Sequence, residues 1–324
     1  MNLNNRLTSI LSHCSANGER SRVQAVQRIL IALTGLLSIG ILRGSPVTTD
    51  PHPKSFRIIS WNTWYVFNEQ NEVAAGKKWL KEQRPDMVAL QELTDITPEL
   101  LQSLADSWGH EHSSLLKPAG FSVGLTSRSP IETVEKGLEN MHHGFLHVRS
   151  FGIEIFVVHL SPFKWEVRQQ EATVLAGKIK PLLKNGAKVM VLGDFNAFSP
   201  ADAGILDKDE EALEAALEQD AKHGHVQNLK DGKYDYDVIK IFFDAGLSDT
   251  ARGKLPITPQ ERMTLPTGVF SGKKTAPRNG QRVDFILTGP KLHKMVERFS
   301  IPREGSLNRI SDHFPVVVDF HTHQ

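Results

Sequence analysis

Residues 188–196 read Lys-Val-Met-Val-Leu-Gly-Asp-Phe-Asn, and this stretch decides the fold. The apolar run Val189 to Leu192 is too short for a core helix but the right length for a strand buried on both faces. Gly193, Asp194 and Asn196 close the run, so the strand delivers two polar side chains at its C-terminal end. If the chain stays extended, the period of two aims Asp194 and Asn196 to the same side. An Asx-turn or a helix N-cap is the other use of the same residues.

The pattern repeats outward along the chain. Met87-Val88-Ala89-Leu90 ends in Gln91-Glu92, and Ile155-Phe156-Val157-Val158 ends in His159. Ile58-Ile59 leads to Ser60-Trp61-Asn62, and Ser311-Asp312-His313 precedes Phe314-Pro315-Val316. Asp284 interrupts the apolar strand Val283-Asp284-Phe285-Ile286-Leu287, where a carboxylate is costly unless paired. Strands are expected over 56–61, 86–91, 121–126, 144–150, 153–160, 188–193, 282–288 and 315–320. Apolar residues near i, i+3, i+4 predict helices over 72–83, 97–107, 165–184, 208–221 and 235–245. Gly152 and Asn279-Gly280 predict hairpins, hence antiparallel pairing, while the interleaved helices predict covered outer faces. Two sheets packed face to face with helices outside satisfy both. The acidic run 207–218 reads as a solvated helix face, with Leu213, Ala216 and Leu217 as its apolar stripe.

Composition sets bounds. The chain has 324 residues, is 40% hydrophobic and 23% charged, and carries a net charge of +1. Five arginines among residues 1–50 face one glutamate and one aspartate, so the remainder is close to neutral and has no global attraction for nucleic acid. The single cysteine, Cys14, excludes an intramolecular disulfide, a Cys-based zinc site and a thiol nucleophile in the body. Residues 29–42, ILIALTGLLSIGIL, follow Arg20, Arg22 and Arg28 and fit the apolar core of a signal peptide or short anchor. A secreted, periplasmic or N-terminally anchored protein is therefore expected; an amphipathic or buried helix of a cytoplasmic protein is the alternative. The domain plan is a signal peptide or anchor over 1–42, a proline-rich linker over 43–55 and a catalytic domain over 56–324.

Taken singly, these polar residues have bland readings: Glu92 as a salt-bridged surface glutamate, His159 as a satisfied core imidazole. Their joint order is specific. The segments WNTW (61–64), QE (91–92), VVHL (157–160), GDFNAFSP (193–200), RVDFIL (282–287) and SDHFPV (311–316) resemble the signatures of the endonuclease/exonuclease/phosphatase superfamily, the DNase I-like proteins, over roughly residues 56–320. The resemblance implies an α+β, four-layer αββα sandwich that cleaves phosphate esters with a divalent metal, Mg²⁺ first and Mn²⁺ or Ca²⁺ as substitutes. It implies metal ligation by Glu92, assisted by Asn62 and Asp312. It implies that Asp194 and Asn196 orient the attacking water and hold a phosphate oxygen, and that Asp284 holds His313 as general base or phosphate stabiliser. His159 resembles the histidine of the DNase and sphingomyelinase branches, where AP endonucleases carry tyrosine. Asn62, Asn196, Lys164 and His143 are the candidates for contact with substrate phosphate.

The chemistry makes the same demand without the family. Phosphodiester cleavage loads negative charge on the nonbridging oxygens and on a poor alkoxide leaving group, so a hard cation on carboxylate oxygens is the natural stabiliser. A buried carboxylate on an imidazole fixes its tautomer, which makes Asp284 and His313 a candidate dyad. The expected activity is hydrolysis of a phosphodiester or phosphomonoester by direct water attack. Nucleic acid is slightly favoured as substrate, a phospholipid or sphingomyelin-type head group is the alternative, and a catalytically inactive binding module is the remote one. No obligate protein partner is expected. Lys273, Lys274, Arg278 and Arg282 suggest a basic patch beside Asp284, or a solvated loop. Phe163-Lys164-Trp165 suggests a rim, or the start of a helix.

Overall fold

The computed structural model describes residues 55–222, 224–254, 258–270 and 280–321. Two six-stranded sheets form its centre, in the orders β13-β14-β1-β2-β4-β3 and β11-β12-β8-β7-β6-β5. The first contains β1 (Ser55–Asn62), β2 (Met87–Gln91), β3 (His112–Leu115), β4 (Gly124–Ser127), β13 (Val296–Ser300) and β14 (Val316–His321). The second contains β5 (Glu132–Gly137), β6 (Phe145–Ser150), β7 (Ile153–His159), β8 (Lys188–Asp194), β11 (Ser248–Asp249) and β12 (Asp284–Thr288). β9 (Leu229–Lys230) and β10 (Lys233–Tyr234) make a small separate ribbon. In each large sheet the central pair is parallel, β1 with β2 and β7 with β8, and the remaining pairs are antiparallel.

The period of two along each strand divides the core into layers. Ile58, Met87, Ala89 and Val318 of the first sheet meet Ile155, Val157, Met190, Leu192 and Ile286 of the second in one buried cluster. Their neighbours Ile59, Trp61, Val88 and Leu90 face the other way, onto α1 (Val73–Gln83) and α2 (Pro98–Ser107) through Leu80 and Leu101. Phe156, Val158, Val189, Val191 and Phe285 likewise face α3 (Trp165–Lys184) and α5 (Asp237–Asp244) through Leu175, Ile179 and Phe242. Helix, sheet, sheet, helix is thus the order of layers, an α+β sandwich. Strands apolar on both faces follow from being covered on both.

The expected helices and strands are present within two residues of their predicted ends, except that β4 begins three residues late, at Gly124. The Gly152 hairpin forms, with Phe151 and Gly152 both at positive φ (52° and 69°), as a two-residue turn with right-handed strand twist requires. The strands without a readable apolar run, β3, β5 and β13, lie at or near sheet edges, where polar residues alternate with solvent. α4 (Glu210–Lys222) buries no residue; Leu213 and Ala216 are half-buried and Leu217 is exposed, so its stripe is shallow. Among the described residues no helix is long and apolar enough to cross a membrane. The N-terminal segment, the linker up to residue 54, Asn279 of the second expected hairpin and the basic residues Lys273, Lys274 and Arg278 lie outside the described residues.

Candidate active site

Antiparallel partners place the end of one strand beside the start of the next. The C-terminal ends of β1, β2, β7 and β8 therefore share an edge of the sandwich with the starts of β12 and β14. Asn62, Glu92, His159 and Asp194 arrive from the first set, Asp284 and Asp312-His313 from the second. All are at most 4% exposed.

Asp194 is the hub. Its Oδ2 accepts a hydrogen bond from Asn62 Nδ2 at 2.9 Å and lies 3.6 Å from His159 Nε2 and 3.8 Å from His313 Nε2. The same Asn62 amide donates to Glu92 Oε1 at 3.1 Å, so one NH₂ group spans two carboxylates from different sheets. His313 Nδ1 pairs with Asp284 Oδ2 at 2.8 Å, which makes Nδ1 the donor and turns Nε2 toward Asp194. Asp312 Oδ1 is 4.0 Å from that same Nε2. Burial first, and then the neighbouring Asp284 carboxylate, push the Asp194 carboxyl above its ordinary range, against the opposing pull of His313 and His159.

Four buried carboxylates, those of Glu92, Asp194, Asp284 and Asp312, share this volume. Asp194, Asp284 and His313 offer ligand atoms within 4.8 Å of one another, and Asp284 Oδ1 accepts no hydrogen bond from the described residues. Hard oxygen donors crowded this closely, with one imidazole, suit a small divalent cation. Asn62, expected to assist the metal, lies among these acids, its Oδ1 accepting the Trp64 N–H at 3.1 Å and its nitrogen facing Glu92 and Asp194.

Asn196 departs from the extended-chain expectation. Its φ of 48° ends the strand, its N–H closes an Asx-turn onto Asp194 Oδ1 at 2.9 Å, and its side chain donates to the Leu160 carbonyl at 3.0 Å. Glu92 is likewise left-handed, with φ 57°. Strained backbone at two neighbouring polar positions is the pattern of a functional site. Gly193, φ 143°, permits the closest approach in the site: a Cβ there would stand 1.9 Å from the Val158 carbonyl oxygen on β7.

Several supporting residues have roles that the sequence did not assign. Ser311 Oγ donates to the Asn62 carbonyl at 2.7 Å and accepts the His313 N–H at 3.1 Å. Trp61 Nε1 donates to the His313 carbonyl at 2.9 Å. Thr264 Oγ1 accepts the N–H groups of Val283 and Asp284, while its carbonyl accepts that of Phe314, so one threonine ties the two halves of the dyad together. Polar residues in a loop look alike in sequence, whichever strand they later meet.

Arg282 is not part of a surface patch. Its guanidinium is buried between Asp202 (Nε to Oδ2, 2.8 Å) and Asp249 (Nη1 to Oδ2, 2.7 Å), over the Phe285 ring. Burial alone would lower its pKa; the two carboxylates outweigh that and raise it. Lys164 caps α3 and pairs its backbone with Gln227, and Trp165 begins that helix beneath Lys230 Nζ. His143 does lie at the site, its ring stacked on His159 at 4.4 Å. Burial, with His159, His142 and Lys117 adding to it, drives the His143 imidazole far down, so it is neutral.

A layered αββα sandwich with buried carboxylates and a carboxylate-held imidazole at one edge defines a phosphoester hydrolase. The sequence matches the Endonuclease/Exonuclease/phosphatase family over residues 59–313, and the chain belongs to that family. No curated protein matches the sequence significantly. Among solved structures the chain is similar to an AP endonuclease from Archaeoglobus fulgidus (22% identity, TM-score 0.61), covering 82% of this chain and all of that one. It is similar, at the same coverage, to a 3′ phosphatase from Neisseria bound to a product DNA hairpin (20% identity, TM-score 0.61). A 3′-5′ exonuclease from Neisseria meningitidis resembles it to the same extent (21% identity, TM-score 0.60, again 82% and 100% covered). At these identities the likeness establishes the fold.

Proposed function

We propose that the protein is a divalent-metal-dependent phosphodiesterase of nuclease type, in the branch that uses histidine at position 159. The observation that carries this reading is the convergence on Asp194 Oδ2 of Asn62, His159 and His313, with Asp284 behind His313. Nucleic acid as substrate is supported by the Neisseria relative, whose structure holds a product DNA hairpin.

Glu92 and Asp312 would hold a Mg²⁺-class cation beside Asp194, and it would supply charge for the nonbridging oxygens and the leaving alkoxide. Asp194 orients the attacking water, aided by the turn at Asn196 that fixes its carboxylate. Asn62 keeps Glu92 and Asp194 from swinging apart. His159 and His313 bring their Nε2 atoms to 3.6 Å and 3.8 Å from Asp194 Oδ2, so a phosphate seated there would meet both imidazoles. Asp284 holds the His313 Nδ1 proton, leaving Nε2 to exchange protons with water or phosphate.

The test is a panel of single-stranded and duplex DNA, RNA, sphingomyelin vesicles and bis-p-nitrophenyl phosphate, assayed with Mg²⁺ and with EDTA. Metal-dependent hydrolysis is expected, falling about 10²- to 10⁴-fold in His313→Ala and Asp284→Asn. Full activity in either variant overturns the mechanism; sphingomyelin as sole substrate overturns the nuclease reading. We also propose that residues 1–42 direct export or anchoring, with the catalytic domain beginning near residue 56. Cytosolic retention of a reporter fused to residues 1–55 would refute export.

A further inference from the structure

We propose that a forked wall of aromatic rings beside His159 is a stacking subsite for an unpaired nucleobase next to the scissile phosphate. The inference rests on the phosphodiesterase reading above and names what must be attached to that phosphate.

The wall begins at the buried His143 ring, stacked on His159 at 4.4 Å with 23° between planes. One arm runs from His143 to Phe121 (5.4 Å) and on to Tyr65 (5.3 Å). The other runs from His143 to His142 (4.3 Å) and on to Phe163 (4.8 Å). Beyond His143 no ring is fully buried: Tyr65, Phe121 and Phe163 are half-buried and His142 is exposed. These residues follow β1, precede β4, precede β6 and follow β7. Topology therefore puts the wall on the same edge as the carboxylates, on the side of β4 and β6 and away from Asp284.

The wall is held in place. The buried Glu171 carboxylate on α3 accepts the His142 N–H at 2.6 Å with one oxygen and the Ser161 N–H at 2.8 Å with the other. Arg168, also buried, donates to the Ser161 carbonyl at 3.1 Å. A buried carboxylate spent on joining two surface loops is costly, and what it secures is the spacing of the His142 and Phe163 rings.

Charge selects among flat or greasy ligands. Lys117 lies near enough to lower the pKa of both His142 and His143. A positive charge at the wall disfavours the quaternary ammonium of a choline head group, which aromatic cages otherwise bind. It favours a group that carries phosphate along with its π-face, which describes a nucleotide. A base can present its face to protein rings only when it is out of a duplex stack, so the substrate is single-stranded or frayed at the cleavage point.

The test measures binding of a short fluorescein-labelled single-stranded DNA to the full chain in EDTA, where hydrolysis does not interfere. The comparison ligand is the same backbone built from abasic residues, so whatever the phosphate site contributes cancels. The wild type is expected to bind the base-bearing strand about 5- to 100-fold more tightly, the range for one stacked base. Phe121→Ala or Phe163→Ala should remove most of that ratio, while Phe121→Tyr, which keeps a ring, should preserve it and control for folding. Equal affinity for the two strands, an equal loss on both in the alanine variants, or binding of phosphatidylcholine vesicles in place of DNA overturns the proposal. Metal-dependent cleavage of bis-p-nitrophenyl phosphate is scored separately, so failure of the subsite is distinguishable from failure of the phosphodiesterase reading.

Discussion

Replacing Arg282, which lies two residues before β12, by methionine should be strongly destabilising. The guanidinium sits between two buried aspartates, with side-chain exposures of 3% for Arg282, 8% for Asp202 and 5% for Asp249. Methionine fills much of the volume but leaves Asp249 in low dielectric without its cation and Asp202 with Arg262 alone, at 3.5 Å. Breaking a buried pair in this way costs about 3–5 kcal/mol. In urea, with an m-value of about 3 kcal/mol/M for a domain of this size, the midpoint should fall by about 1–1.7 M. The triple variant Arg282→Met, Asp202→Asn, Asp249→Asn removes the stranded charges and should recover much of the loss; asparagine at 249 can still accept the Ala251 N–H that Asp249 Oδ1 accepts at 2.9 Å. Arg282→Lys should fall between, because an ammonium cannot reproduce the fork that reaches both partners. A single-variant loss below about 1 kcal/mol, or a triple variant less stable than the single, would refute the reasoning. Since Asp284 begins β12 two residues further on, turnover should fall with stability.

Two further predictions use other parts of the molecule. Gly193→Ala should abolish activity and lower the melting temperature, since its Cβ would meet the Val158 carbonyl oxygen at 1.9 Å and push β7 from β8 at the positions that carry His159 and Asp194; an active, equally stable variant would show that the two strands have slack. His110 should make the fold acid-sensitive. Its neutral ring donates from Nε2 to the Pro85 carbonyl (2.9 Å) and accepts at Nδ1 from Thr126 Oγ1 (2.8 Å), which in turn accepts from Trp108 Nε1. Burial, outweighing both bonds, lowers its pKa in the folded state below the ordinary value of 6.5, so the unfolded chain binds the proton first. The stabilisation is complete above about pH 6.5 and declines below it, by at most about 1.4 kcal/mol per pH unit. Urea midpoints at pH 7.5 and 5.5 should differ less in His110→Gln than in the wild type; an unchanged difference would contradict this.

The parts of the site that could be read in sequence are those where one element dictates one position. Apolar runs covered on both faces announce themselves, and whatever ends them must lie at a strand end, which is how Glu92, His159 and Asp194 declare their place. Asp284 betrays itself as a charge inside such a run. Orientation is another matter. That Asn62 shows its nitrogen to the acids, and that Asn196 leaves the strand direction altogether, depends on the left-handed turns after β1 and β8. Those turns use Trp64 to Gln70 and Asn196 without a single glycine, so no residue type advertises them. The partners of Thr264, Ser311, Arg282 and Glu171 could not be read for a related reason. Each bonds a segment far away in the chain, and the energy that fixes it appears only once the sheets have met. The edge strands β3 and β5 escaped because neither has an apolar run: β3 reads His-Ser-Ser-Leu, and β5 exposes four of its six residues.

The division of the site between the sheets has a mechanical side. The layer between them is mostly hydrocarbon, bridged elsewhere by the hydroxyl pairs Ser114–Thr133 and Ser127–Ser150, and apolar contact is non-directional: it holds two faces together without fixing how far one has slid along the other. Directional bonds are what resist sliding, and at this edge two of them cross the seam, Asn62 of the first sheet to Asp194 of the second and His313 of the first to Asp284 of the second. The reaction centre is therefore also a latch. Heat or pressure that lets the latch slip would silence the enzyme while both sheets remain intact, so loss of turnover should run ahead of loss of secondary structure.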